Sequence, residues 1–125
     1  MIQTLLYVAL GGALGASARY MTNVVVMRFI GPGFPWGTLV VNVLGSALMG
    51  ALVVLLAQKD ATRLGPFLMT GLLGGFTTFS AFSLDALTLW ERGQSGVAAA
   101  YVAGSVVLSL VGIALGMAAA RGMFS

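Results

Sequence analysis

Four long apolar runs, separated by short polar breaks, make up almost the whole chain: residues 2–29, 36–57, 66–90 and 96–120. Each exceeds the ~20 residues that a helix needs to cross a hydrocarbon core about 30 Å thick. The breaks carry glycine, proline and charge: Gly31-Pro32-Gly33-Phe34-Pro35, then residues 58–65, then Glu91-Arg92-Gly93-Gln94. Such clusters end helices. The pattern predicts an all-α membrane protein, with four transmembrane helices in a single domain over residues 1–125. Loops this short make consecutive helices antiparallel neighbours. There is no internal repeat and no low-complexity tail.

Composition sharpens this picture. The chain is 59% apolar and 7% charged over 125 residues, with a mean hydropathy of +1.04. A soluble domain is about a quarter charged, and a small one leaves much of its surface in water. Lipid is therefore the solvent for most of the chain. The net charge of +3 does not point to nucleic acid, because the basic residues sit at segment ends and suit lipid headgroups. With no cysteine and no histidine, thiol chemistry, disulfides and most zinc, haem and copper sites are excluded. Ala16-Ser17-Ala18 mimics a signal-cleavage site. No Lys or Arg precedes that apolar run, however, and the run resumes after Arg19, so it is read as a retained span.

Charge also bears on orientation. Four spans put both termini and the second loop on one side, with Lys59, Arg63 and Arg121. Arg28 and Arg92 lie on the other, joined by Arg19 if its side chain reaches the surface. A balance this close permits insertion both ways up, and so an antiparallel homodimer. A slight bias toward one orientation fits the same counts.

Polar groups at membrane depth are costly and are the natural functional candidates. Thr38, Asn42 and Ser46 recur every four residues in the second span, as do Tyr101, Ser105 and Ser109 in the fourth. Each trio shares one helix face. At 1.5 Å per residue, Asn42 lies ~10 Å below the surface opposite the termini, and Ser105 and Ser109 ~14 and ~20 Å below it. The two stripes overlap in depth and offer uncharged donors. Spacing alone fits an ion track and also fits the hydrogen bonds that join helices in bundles.

The third span is the odd one. Residues 71–83 hold three glycines and four hydroxyl residues. Gly74-Gly75 and Thr77-Thr78 are poor helix formers and sit ~12–18 Å deep, near the midplane. A broken helix there frees backbone groups, which are tolerated only inside protein or lining a site. Freed carbonyls suit a cation and freed N–H groups an anion. Phe79 and Phe82 follow at i and i+3, and a ring edge is a weak, uncharged partner for an anion. Two charges remain inside the spans. Arg19 lies within snorkelling range of the surface, and Asp85 lies near the same end of the third helix. They are candidates for a mutual pair or for vestibule charges, with interfacial anchoring favoured for Arg19. Gly11 and Gly15 form a small-xxx-small packing face.

These residues resemble the Fluc family of fluoride channels, also called CrcB proteins. The similarity covers the whole chain. It includes Gly11-Gly12-Ala13-Leu14-Gly15-Ala16 leading to Arg19, then residues 35–42 ending in Asn42, and Tyr101 with Ser105 and Ser109. Its most specific piece is Gly74-Gly75-Phe76-Thr77-Thr78-Phe79-Ser80-Ala81-Phe82-Ser83. The resemblance implies a dual-topology antiparallel homodimer in the cell inner membrane, with two pores that let fluoride leave the cell passively. It implies that Asn42, Phe79 and Phe82 line the fluoride path, with Thr38, Tyr101, Ser105 and Ser109 along the polar track. The carbonyls of Gly74 and Thr77 would hold a central structural sodium ion shared by both subunits. Two midplane breaks meeting on an in-plane two-fold axis would offer four carbonyl oxygens to a hard cation.

Two other functions are weaker fits. A small multidrug exporter needs a deep carboxylate for proton exchange, which the first span lacks. A non-transporting accessory subunit has no need of a broken, hydroxyl-rich span. An enzyme is not expected, since there is no Ser/His pair, paired carboxylate or metal-ligand cluster.

Overall fold

The computed structural model describes residues 1–124, and among them the regular structure is entirely helical. Helix α1 spans Ile2–Phe29 and α2 spans Trp36–Gln58. A short 3-10 turn, Thr62–Leu64, leads into a π-helical stretch, Pro66–Leu73, which runs on into α3, Gly74–Phe76. Helices α4, Phe79–Glu91, and α5, Ser95–Gly122, complete the chain. The tight loops rest on residues that accept positive φ: Gly31 at 92° and Gly33 at 115° after α1, and Gly93 at 79° after α4. Pro66 starts the π-helical stretch, where its missing N–H costs nothing.

The helical stretches fall on the four apolar runs. Three of them are long and apolar enough to cross a membrane: Trp36–Gln58, Thr62–Glu91 and Ser95–Gly122. Helix α1 has the length, at 28 residues, but Gln3, Arg19 and its glycines dilute its apolar character.

Helices meet through glycine. Along α2 and α5, a methyl group at Gly50 would strike the Ile113 carbonyl, and one at Gly116 the Ala47 carbonyl. Along α1 and the π-helical stretch, Gly11 faces the Phe67 carbonyl and Gly15 the Leu72 carbonyl. Lipid gives helices no hydrophobic reason to associate, so close van der Waals contact must hold them. The outer face is apolar: Leu5, Leu10, Leu84, Leu110 and Leu115 are each more than half exposed. A patch of this extent is untenable in water. The small buried cluster is Leu89, Ala98 and Tyr101, flanked by Phe34 and Phe82.

The third span is broken, and more sharply localised than its composition suggests. Gly74 and Gly75 stay helical. Only Thr77, at φ −83° and ψ 158°, and Thr78, at φ −151° and ψ 122°, are extended. Glycine here serves packing: a methyl at Gly75 would sit 2.7 Å from the Gly12 carbonyl.

Candidate functional site

Two extended residues interrupt the helical ladder, so their neighbours' backbone groups need other partners. In an unbroken helix the Thr78 N–H would bond to the Gly74 carbonyl and the Ala81 N–H to the Thr77 carbonyl. Instead, the Thr78 N–H donates to Asn42 Oδ1 at 2.8 Å. The Ala81 N–H donates to Thr78 Oγ1 at 3.1 Å, an N-cap that restarts the helix. The carbonyls of Gly74, Gly75, Phe76 and Thr77 are thereby released from the ladder. Two carbonyls at the break accept from distant side chains. Arg19 Nε donates to the Gly75 carbonyl at 3.1 Å, and Asn42 Nδ2 donates to the Thr78 carbonyl at 3.0 Å.

Beside the break lies an open groove of about 400 Å³. Asn42 and Ser46 of α2, Thr77 and Thr78 of the break, Phe79 and Phe82 of α4, and Ser105 and Ser109 of α5 all reach its walls. The two predicted polar stripes therefore converge on the same space as the broken span. Phe79 and Phe82 lie 5.5 Å apart between ring centroids, tilted by 45°. Phe79 is 79% exposed. Phe82 packs inward against Tyr101, with centroids 5.3 Å apart. Ser105 is only 5% exposed, yet its Oγ has no hydrogen-bond partner among the described residues. An unpaired buried hydroxyl beside a cavity is costly unless something else fills its valence.

Thr38 and Tyr101 are buried in the bundle and are not among the groove's walls. Tyr101 instead donates its hydroxyl to Asp85 Oδ2 at 3.2 Å. Asp85 lines a smaller recess of about 240 Å³ with Phe34, Pro35, Thr88 and Arg92. Arg19 and Asp85 do not pair. Arg19 is partly buried, and its Nε is engaged by the Gly75 carbonyl at the break. No cluster of three His, Cys, Asp or Glu residues occurs among the described residues. A cation bound here would have to rely on backbone or hydroxyl oxygen.

Comparison with known proteins now bears on this geometry. Residues 6–117 match the family model described as CrcB-like protein, Camphor Resistance (CrcB). The chain belongs to the CrcB family. It is 71% identical over 122 residues to a protein of Cereibacter sphaeroides named fluoride-specific ion channel FluC, covering 98% of each chain. Proteins of the same name from Ruegeria sp. strain TM1040 and Paracoccus denitrificans are 63% and 56% identical, each over the full length of both chains.

Sequence reasoning about this CrcB chain missed two features of the site. The reciprocal pair of hydrogen bonds between Asn42 and Thr78 was hidden because a polar stripe does not name its partners. Gly45 packs directly on the break, and the available signal was its position one turn beyond Asn42.

Proposed function

We propose that this protein is a passive, fluoride-selective channel of the cell membrane, working as an antiparallel homodimer around a central sodium ion. The observation that carries the proposal is the groove. It gathers uncharged donors from α2 and α5 beside two phenylalanine rings and a helix break, and it lies open on the surface of a single subunit. Its walls also include Met49, Val106, Leu110 and Ile113, but the polar groups gathered among them are costly to leave facing lipid. A second subunit would close it, and the full-length relatives named as fluoride-specific channels support the ion's identity.

Fluoride is small and strongly hydrated, so a path must replace several water contacts without holding the ion fast. Ser105, Ser109 and the second N–H of Asn42 supply neutral donors. Phe79 and Phe82 supply positive ring edges. A row of lysines or arginines would trap the ion. Thr38 and Tyr101 continue the track beyond the groove, with Asp85 as a vestibule charge. In this arrangement α1 is the fourth span, its Arg19 charge neutralised in part by carbonyl dipoles.

The sodium reading is supported by the bond pattern at the break. Of its carbonyls, those of Gly75 and Thr78 accept from Arg19 and Asn42, while those of Gly74, Phe76 and Thr77 are released from the ladder with no side-chain donor among the described residues. Gly74 is exposed on the subunit surface, where a partner related by an in-plane two-fold axis could add the same Gly74 and Thr77 pair. Four carbonyl oxygens suit a hard monovalent cation, whose charge would offset part of the cost of nearby anions.

Fluoride efflux tests the proposal. Liposomes holding purified protein and loaded with fluoride should release it quickly once a potassium ionophore dissipates the voltage, and should retain chloride. Release no faster than from protein-free vesicles would overturn it.

A further inference from the structure

We infer that Gly45 is a positioning residue for the Thr77 carbonyl, an inference that rests on reading that carbonyl as a sodium ligand. Gly45 is buried on α2, one turn beyond Asn42. A methyl group added there would overlap Thr77 Cγ2, and would also stand 3.4 Å from Phe76 Cδ2. Threonine has a single side-chain torsion with two heavy branches on Cβ. The other branch is already engaged, because Thr77 Oγ1 donates to the Leu73 carbonyl at 3.0 Å. The hydroxyl thus ties Thr77 back to its own half-helix while the methyl sits in the notch that Gly45 leaves on α2. With both branches held, Cβ cannot turn without moving the backbone.

That backbone is the extended step of the break, and its ψ of 158° sets the plane of the peptide that carries the Thr77 carbonyl. The next residue, Thr78, is held by Asn42 through both its N–H and its carbonyl. Helix α2 therefore grips two successive residues of the break, one by shape and one by hydrogen bonds. Without the notch, the Thr77 methyl must leave α2 and carry its carbonyl with it. Groups that orient a ligand from behind typically change metal affinity ~10–100-fold when altered.

The test is sodium-dependent thermal stability of the purified dimer, with sodium chloride replaced stepwise by N-methyl-D-glucamine chloride. Gly45→Ala should raise the sodium concentration needed for half of the stabilisation by ~10–100-fold. Thr77→Ser, which removes Cγ2 and keeps the hydroxyl, should recover most of that loss in the Gly45→Ala background and give no gain in the parent. Gly96→Ala, where an added methyl meets nothing within 4 Å, should titrate like the parent. If Gly45→Ala yields no folded dimer, rescue by Thr77→Ser supports the notch and failure of rescue overturns it. A parent that responds to sodium while Gly45→Ala titrates identically overturns this inference alone. A parent with no sodium response overturns the sodium reading, and this inference with it.

Discussion

Asn42 and Thr78, 36 residues apart in sequence, share two hydrogen bonds: Thr78 N–H to Asn42 Oδ1 at 2.8 Å and Asn42 Nδ2 to the Thr78 carbonyl at 3.0 Å. One amide side chain gives the Thr78 N–H the acceptor that the interrupted helix denies it, and adds a donor to the Thr78 carbonyl. It does so while lining the groove. Asn42 therefore has a structural role, and the pathway role proposed for it can be tested separately.

Asn42→Ala strands the Thr78 N–H, removes a second donor from the Thr78 carbonyl and should destabilise the protein by about 1–3 kcal/mol. Asn42→Asp keeps the acceptor for the Thr78 N–H, loses the donor to the carbonyl and adds a negative charge beside the groove. Its second oxygen meets the Thr78 carbonyl as acceptor against acceptor, so it should be no more stable than Asn42→Ala and should pass fluoride more slowly. Melting curves and liposome efflux on both variants check the ranking. If Asn42→Asp conducts like the parent, Asn42 is a clamp and nothing more.

Phe79 and Phe82 make a contrasting pair. Phe79 is largely exposed on the subunit and Phe82 packs on Tyr101. Replacing either with Ile should slow fluoride efflux ~10-fold or more, equivalent to about 1.4 kcal/mol. Both variants lose the ring contact between Phe79 and Phe82, and Phe82→Ile should lose about 0.5–1.5 kcal/mol more from its contact with Tyr101. Parent-like efflux from both variants would make the rings packing residues.

Ser105→Ala distinguishes a pathway from a packing role directly. Its hydroxyl is buried with no partner among the described residues, so its removal should leave the melting temperature unchanged or raise it. Fluoride efflux should nevertheless fall, by ~10-fold if one donor contact to the ion of about 1.4 kcal/mol is lost. Undiminished efflux would take Ser105 off the path.

Architecture has its own test. Adding several lysines around Lys59 should force one orientation in the membrane, and adding them within residues 31–35 should force the other. Each biased variant alone should be inactive, and co-expression should restore fluoride efflux. Full activity from either alone would defeat the antiparallel arrangement while leaving the ion's identity standing.

Local information made the helices legible. A helix in lipid satisfies its backbone within itself, so an apolar run of sufficient length and a glycine or proline break are enough to place it. The same reasoning found the interruption of the third span, since Thr77-Thr78 in a glycine-rich stretch is a weak helix by composition alone. It also found the polar stripes, which follow from helical periodicity.

What sequence could not assign was the partner of each freed group. The Arg19 Nε donates to a carbonyl 56 residues away, a partner that only the folded bundle brings beside α1. Composition spread the break over Gly74-Gly75 and Thr77-Thr78, but the glycines remain helical because α1 packs too close for a side chain at Gly75. Periodicity put Tyr101 in line with Ser105 and Ser109, yet its hydroxyl reaches Asp85 on the neighbouring helix, outside the groove. Chain pattern determined which segments are helices and which residues share a face. Tertiary packing decided which carbonyls were capped and which were left free, because hydrogen bonds at a helix break are long-range choices that local periodicity does not encode.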